Sequence, residues 1–219
     1  MKPLERDSSS AESRDTARPR IGLFGGAFDP PHNAHVALVQ AAVLQLGLTR
    51  LHVLPTGQAW HKPRTLSAAH HRLAMARLAF DELPGVQVDP REIERDGPTY
   101  TIDTLRELQR ENAGAQMVLV IGADQAAALT TWRDWQVVAR DAIISVAERD
   151  QPARTIPQFD FEKLSGARME RLQLPRMPVS ATAIRAQLAR AAPGDKNTSS
   201  LVPAPVARYI AHHHLYQAA

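Results

Sequence analysis

Residues 21–35 (IGLFGGAFDPPHNAH) gather two adjacent glycines, a turn held by two prolines, and two histidines three positions apart. An apolar stub runs into Gly25 and Gly26, which carry no Cβ and let the backbone pass close to a bulky ligand. Asp29-Pro30-Pro31 stiffens the turn, because each proline fixes its own φ and Pro31 also restricts the residue before it. A helix opening near His32 or Asn33 would offer unpaired N–H groups and a partial positive charge, a combination that suits an anion. His32 and His35 share one face of that helix. The chemistry in reach is the binding of a phosphate chain, with the imidazoles donating to phosphate oxygens and the ligand's charge favouring imidazolium.

Other chemistries fit less well. Two histidines on one helix face can ligate zinc, but no glutamate occupies the helical positions a zinc hydrolase needs, so no protein-held metal is assigned. The turn has no Gly-Lys-Ser/Thr ending and no G-x-G-x-x-G spacing, so it is neither a P-loop nor a site for a finished dinucleotide.

A second stretch, residues 177–185 (MPVSATAIR), places Ser180 and Thr182 at a helix start with Arg185 one turn on. Alone it reads as a capped helix with an exposed arginine. Trp60-His61-Lys62-Pro63 alone reads as a solvated loop. Gly97-Pro98-Thr99-Tyr100-Thr101 alone reads as a helix start, and Thr131-Trp132-Arg133-Asp134-Trp135 as core and surface aromatics. His212, His213 and His214 read as surface.

Positioning these residues requires alternating strands and helices. Residues 21–24 read as a strand and 36–46 as a helix stopped by Gly47. A strand at 51–54 ends at Pro55, and a polar loop runs over 56–65. Ser67 is expected to cap a helix carrying Leu73, Ala74, Arg77, Leu78 and Phe80. A short strand at 86–88 and a helix at 99–112, closed by Gly114, follow. Residues 117–121 form an apolar run expected of a central strand covered on both faces. A helix at 132–139 and a strand at 142–147 come next, residues 149–166 read as irregular, Ser180 caps a helix to 189, and Pro205 opens a last helix to 216. The fold class is therefore α/β: a Rossmann-like open parallel sheet flanked by helices, with a C-terminal helical extension. Ligands in such sheets sit beyond the carboxyl ends of the strands, so the Gly25-Gly26 turn and the Gly122-Ala123-Asp124 turn should open onto one crevice.

The chain has 219 residues, 44% hydrophobic and 22% charged, with a formal charge of +3. These values suit a globular domain with a modest preference for anions. Without cysteine there is no disulfide, thiolate metal site or catalytic thiol. No apolar run reaches the roughly 18 residues of a membrane span. Residues 1–19 mix acids, arginines and serines and read as a disordered tail before a domain at 20–219, and the protein reads as cytoplasmic. Arginine-rich blocks and aromatic stripes of nucleic-acid binders are missing, so no nucleic-acid or membrane partner is expected.

GGAFDPPHNAH resembles the G-G-T-F-D-P-x-H-x-G-H signature of the nucleotidyltransferase superfamily, with Ala27 for the usual Thr and Ala34 for the usual Gly. VSATAIR resembles that superfamily's I-S-S-T-x-I-R element, with Ala181 for the middle serine. From about Arg20 to Tyr216 the chain is similar to bacterial nicotinate-nucleotide adenylyltransferases. That resemblance implies adenylyl transfer from ATP to nicotinate mononucleotide, giving deamido-NAD and pyrophosphate in NAD biosynthesis. It implies His32, His35 and Arg185 as catalytic, and ATP contacts from Gly25, Gly26, Ala27, Phe28, His32, His35, Gly122, Asp124, Ser180, Thr182 and Arg185. It implies Lys62, Tyr100, Thr101 and Trp132 around nicotinate mononucleotide, and Mg²⁺ accompanying ATP. Two alternatives remain open: a pantetheine-phosphate adenylyltransferase-like enzyme, whose chains are shorter and carry Thr where His32 stands, and a nucleotide-sensing module with a decayed site, hinted at by Ala27 and Ala181. Oligomeric state is not legible.

Overall fold

The computed structural model describes residues 18–57, 66–149, 167–175, 177–190 and 200–217. The expected tail at 1–19 lies outside the described residues except for Arg18 and Pro19, and Lys62 lies outside them altogether.

Along the chain come β1 (Arg20–Gly26), α1 (Asn33–Gln45), β2 (Arg50–Pro55), α2 (Ala69–Phe80), β3 (Val86–Val88) and a short α3 (Arg91–Glu94). Then follow α4 (Thr101–Glu111), β4 (Gln116–Gly122), α5 (Ala123–Ala128), a 3-10 turn (Leu129–Thr131), α6 (Trp135–Asp141) and β5 (Ala142–Arg149). The last elements are β6 (Met169–Leu174), α7 (Ala181–Leu188) and α8 (Ala204–His212). The six strands form one sheet in the order β3-β2-β1-β4-β5-β6. Every neighbouring pair is parallel.

The order reverses between β1 and β4, the place where such sheets open a ligand crevice. Their pairing shows the opening. It begins at Arg20↔Gln116 and stops at Leu23↔Leu119. Beyond that point β1 stays with β2 as far as Gly26↔Pro55, and β4 stays with β5 as far as Gly122↔Ala147. The two glycine turns therefore flank the split.

β4 is buried from Met117 to Ile121 because apolar clusters cover both faces of the sheet. On one face Phe24, Val53, Val118 and Val120 pack with Val39 of α1, Met75 and Phe80 of α2, and Val206 and Ile210 of α8. On the other, Leu23, Leu54, Leu119 and Ile121 pack with Ile102, Leu105 and Leu108 of α4. Burying each such side chain contributes about 1.5–3 kcal/mol.

Several local expectations differ from the structure: the helix expected over 132–139 begins only at Trp135, after a 3-10 turn, and the short helices α3 and α5 were not expected. α2 starts one residue after Ala68, not at Ser67, whose main-chain N–H instead donates to Asp29 Oδ2 over 3.2 Å. The last helix stops at His212, and the chain then turns through left-handed residues at His214 (φ 52°) and Tyr216 (φ 66°). β6 was unforeseen: as an edge strand it buries only Leu172 and Leu174 between polar residues, too little apolar signal to read. Gly47 does end α1, with φ 57° and the Leu48 N–H returning to the Val43 carbonyl, as a left-handed helix stop requires.

Candidate active site

The two glycines are required for different reasons. A Cβ on Gly26 would lie 2.9 Å from the Phe28 ring, so this glycine makes room for a core side chain. A Cβ on Gly25 would meet nothing nearer than the Leu54 carbonyl at 4.0 Å, and one on Gly122 nothing within 4 Å. Packing therefore does not demand glycine at these two positions. Both sit at the carboxyl ends of split strands, where an added methyl would be uncrowded by the protein itself.

Phe28 adopts a left-handed backbone (φ 47°) and turns its ring inward, edge-on to Phe24 and Phe80 at 5.5 Å each. Only its main chain could meet a ligand. His32 is the N-cap of α1 and is buried; its ring stacks on that of His35 at 3.7 Å. The His32 main-chain N–H donates to His35 Nδ1 over 3.2 Å. A neutral His35 must then carry its proton on Nε2, which makes that nitrogen the donor. The mouth of α1 is less open than the sequence suggests, since the Asn33 N–H donates to the Leu201 carbonyl and its side-chain amide to Ser200.

Asp29 is the hub behind this turn. It is 1% exposed, and its carboxylate accepts from the Ser67 N–H and, over 2.6 Å, from the Tyr216 hydroxyl. Its main-chain carbonyl accepts from Arg185 Nη1 over 2.7 Å, and Arg185 Nη2 donates to Thr182 Oγ1 over 3.0 Å. Ser180 caps α7 by accepting from the Ala183 N–H, as its position predicts. The second motif is thereby fastened to the first.

Sequence reading passed over Asp29 as a side chain and missed Arg72. The Arg72 guanidinium is buried and donates to the carbonyls of Ala27, Thr56, Gly57 and Ser67, tying the turn after β1 to both ends of the connection between β2 and α2. The available signal was an arginine at a core position of α2, in line with buried Met75, Ala76 and Ala79.

Asp124 stands exposed in the first turn of α5, whose N-cap is Gly122. Tyr100 is the N-cap of α4 without a side-chain cap, and Thr101 is the first helical residue. The segment after the 3-10 turn adjoins it: the Arg133 guanidinium lies 4.8 Å over the Tyr100 ring, and Trp132 packs into the same apolar cluster as Tyr100. The Trp132 N–H is committed to the Leu129 carbonyl.

Behind α4 runs a chain of charges. His52 Nδ1 donates to Asp89, Asp89 accepts from Arg91, and Arg91 meets Glu111. Burial alone would raise the Asp89 carboxyl, but the hydrogen bonds from His52 and Arg91 hold it well below the usual carboxylate range. Arg95 pairs with Glu107, and the Thr104 hydroxyl donates to buried Glu92 over 2.9 Å. Burial pushes the Glu92 carboxyl up to about 7, against that hydrogen bond and the charge of Arg95. No group of three or more His, Asp or Glu able to hold a metal exists among the described residues. No described helix is long and apolar enough to cross a membrane.

A split parallel sheet with a glycine turn, a histidine pair and a guanidinium at its mouth defines a nucleotidyltransferase. The family model described as cytidylyltransferase-like matches residues 23–187. A protein of Albidiferax ferrireducens named probable nicotinate-nucleotide adenylyltransferase is 56% identical over 200 residues, covering 91% of this chain and 99% of its own. One of the same name from Methylibium petroleiphilum is 46% identical over 198 residues, covering 90% and 92%. The solved structure of Plasmodium falciparum nicotinic acid mononucleotide adenylyltransferase complexed with NaAD has the same fold, with a TM-score of 0.73 at 17% identity over 91% of this chain and 98% of that one. The chain belongs to the nicotinate-nucleotide adenylyltransferase family.

Proposed function

We propose that residues 20–219 act as one domain that transfers the adenylyl group of ATP to nicotinate mononucleotide, releasing deamido-NAD and pyrophosphate. The observation that carries this reading is the Arg185–Asp29 contact across the mouth of the β1/β4 split, which sets both motifs around one crevice. The relatives' names supply the acceptor, and the uncapped start of α4 beside Trp132 and Arg133 is where its aromatic acid fits.

The nucleophile is the acceptor's own phosphate, which is already anionic, so the reaction needs no protein nucleophile. One phosphate oxygen attacks the α-phosphorus of ATP as the bond to the β-phosphate bridging oxygen breaks, and pyrophosphate takes up the departing electron pair. What the protein supplies is alignment and neutralisation of charge building on the leaving group. His35 donates from Nε2, His32 buttresses its ring, and the Gly25-Gly26 backbone meets the phosphates of ATP. Arg185 and the hydroxyls of Ser180 and Thr182 close the other side. Asp124 receives a ribose hydroxyl. Family members generally use a divalent metal. With no cluster of three or more His, Asp or Glu among the described residues, Mg²⁺ enters on the triphosphate as part of the substrate. ATP as donor also supports a cytoplasmic enzyme.

A pyrophosphate-release assay with ATP and a panel of acceptors tests this. Nicotinate mononucleotide should give turnover well above nicotinamide mononucleotide and pantetheine phosphate. Turnover with pantetheine phosphate alone, or ATP binding without turnover on any acceptor, would replace the reading.

A further inference from the structure

We infer that Tyr216 is a positioning residue for adenylyl transfer, holding the phosphate loop and Arg185 in register through the carboxylate of Asp29. The inference rests on the function proposed above.

Tyr216 lies 187 positions from Asp29 in sequence, yet its hydroxyl donates to Asp29 Oδ1 over 2.6 Å. To reach it the chain leaves α8 at His212 and folds back through two left-handed non-glycine residues, His214 and Tyr216 itself. Such backbone is disfavoured for side chains of this size and persists where the surroundings impose it. Here the Leu215 N–H returns to the Ile210 carbonyl, while Leu215 and Tyr216 pack on the cluster beneath the phosphate loop. The whole ending delivers one hydroxyl to one carboxylate.

Asp29 is where that delivery matters. Its two carboxylate oxygens are held by Tyr216 and by the Ser67 N–H, which fixes the side chain at both ends. With the side chain fixed, the main-chain carbonyl of the same residue faces Arg185. Burial, then the hydrogen bond to Asp29 and its negative charge, push the phenol above its ordinary range, so it remains a donor at neutral pH. Removing the hydroxyl takes away the tie at Asp29 Oδ1 and with it part of the support that holds this turn in place. The main-chain carbonyl that anchors Arg185 belongs to the same turn and is then held less firmly.

The test uses the full chain with Tyr216→Phe, which keeps the ring and its packing, and a second protein ending after Leu215. Steady-state pyrophosphate release is measured with each substrate varied, alongside circular dichroism. Both variants should lose about tenfold in kcat, with the KM for nicotinate mononucleotide unchanged within about twofold. In an Arg185→Ala background, Tyr216→Phe should have almost no further effect on kcat, because its influence passes through Arg185. That non-additivity is not expected of a residue that serves stability alone. An unchanged kcat in folded Tyr216→Phe overturns the inference. So does an undiminished effect in the Arg185→Ala background, or a Tyr216→Phe protein that no longer folds. Failure of the unaltered protein to turn over ATP with nicotinate mononucleotide would instead overturn the proposed function.

Discussion

Arg185 and Asp29 are 156 positions apart in the chain and 2.7 Å apart in space, guanidinium to main-chain carbonyl. The contact joins α7 to the turn after β1, so the closing motif is seated directly on the opening one. A planar fork can hold Asp29 and Thr182 from its two terminal nitrogens at once, which an ammonium on a flexible stem cannot do with the same geometry.

Arg185→Lys should therefore keep the charge and lose the alignment. We expect kcat to fall by about 10²-fold, the scale for removing a donor to developing charge, with little change in melting temperature. A loss below about tenfold in pyrophosphate release would mean that charge alone suffices at this position.

Much of this was legible in advance. The apolar run over 117–121 marked the central strand because a strand covered on both faces needs no polar alternation. The two motifs placed the crevice because parallel strands deliver their ends to one side. What the sequence concealed was pairing across distance. Nothing local to Asp29 announces Ser67, Arg185 and Tyr216 as its partners, and Arg72 looks like one more arginine until its core position on α2 is noticed. The adjacent glycines looked equivalent, and only three-dimensional packing separates them.

That separation is testable. Gly26→Ala must push against the buried Phe28 ring at 2.9 Å and should destabilise the fold by about 1–3 kcal/mol, the usual range for overpacking. Gly25→Ala meets nothing closer than 4.0 Å and should leave the urea midpoint unchanged while weakening ATP binding. Calorimetric titration of ATP together with urea unfolding distinguishes the two. Equal loss of stability in both variants would remove the argument that Gly25 is kept for a ligand.

Glu92 gives the fold a pH dependence of definite sign. Its carboxyl is raised from 4.5 to about 7 in the folded protein, so the folded state holds the proton more tightly than the unfolded chain does. Its contribution is complete below about pH 4.5 and is lost as pH rises through about 7, at most about 3 kcal/mol at roughly 1.4 kcal/mol per pH unit. Three groups act in the opposite direction. His71, lowered by burial and by neighbouring His70 and His213, loses its contribution as pH falls below its ordinary value, and Asp89 and Glu111 lose theirs at lower pH. All three are common to wild type and Glu92→Gln, so the difference between the two proteins isolates Glu92. The glutamine variant should gain stability on wild type between pH 5.5 and 8 in urea unfolding. Parallel curves over that range would show that Glu92 is charged when folded.

On the proposed function, acceptor choice rests on donors at the start of α4. A nicotinate ring carries a carboxylate where nicotinamide carries an amide, so a site built of donors alone distinguishes them. Tyr100 leaves the helix start without a side-chain cap, the Thr101 hydroxyl stands beside it, and Arg133 adds positive charge over the Tyr100 ring. The Trp132 main-chain N–H is already committed to Leu129, and on the proposed reading Trp132 meets the ring with its indole face, which stacks on either ring alike. An amide would turn its NH₂ against a donor and leave one group unpaired, at about 1–3 kcal/mol, or roughly one to two orders of magnitude in kcat/KM. Trp132→Ala should therefore weaken nicotinate and nicotinamide mononucleotides by similar factors. Thr101→Val, which removes a donor while keeping its volume, should instead narrow the gap between them. Measured kcat/KM values for the two acceptors in the three proteins decide the matter, and equal values in the unaltered protein would sink the assignment of this end of the crevice to the acid.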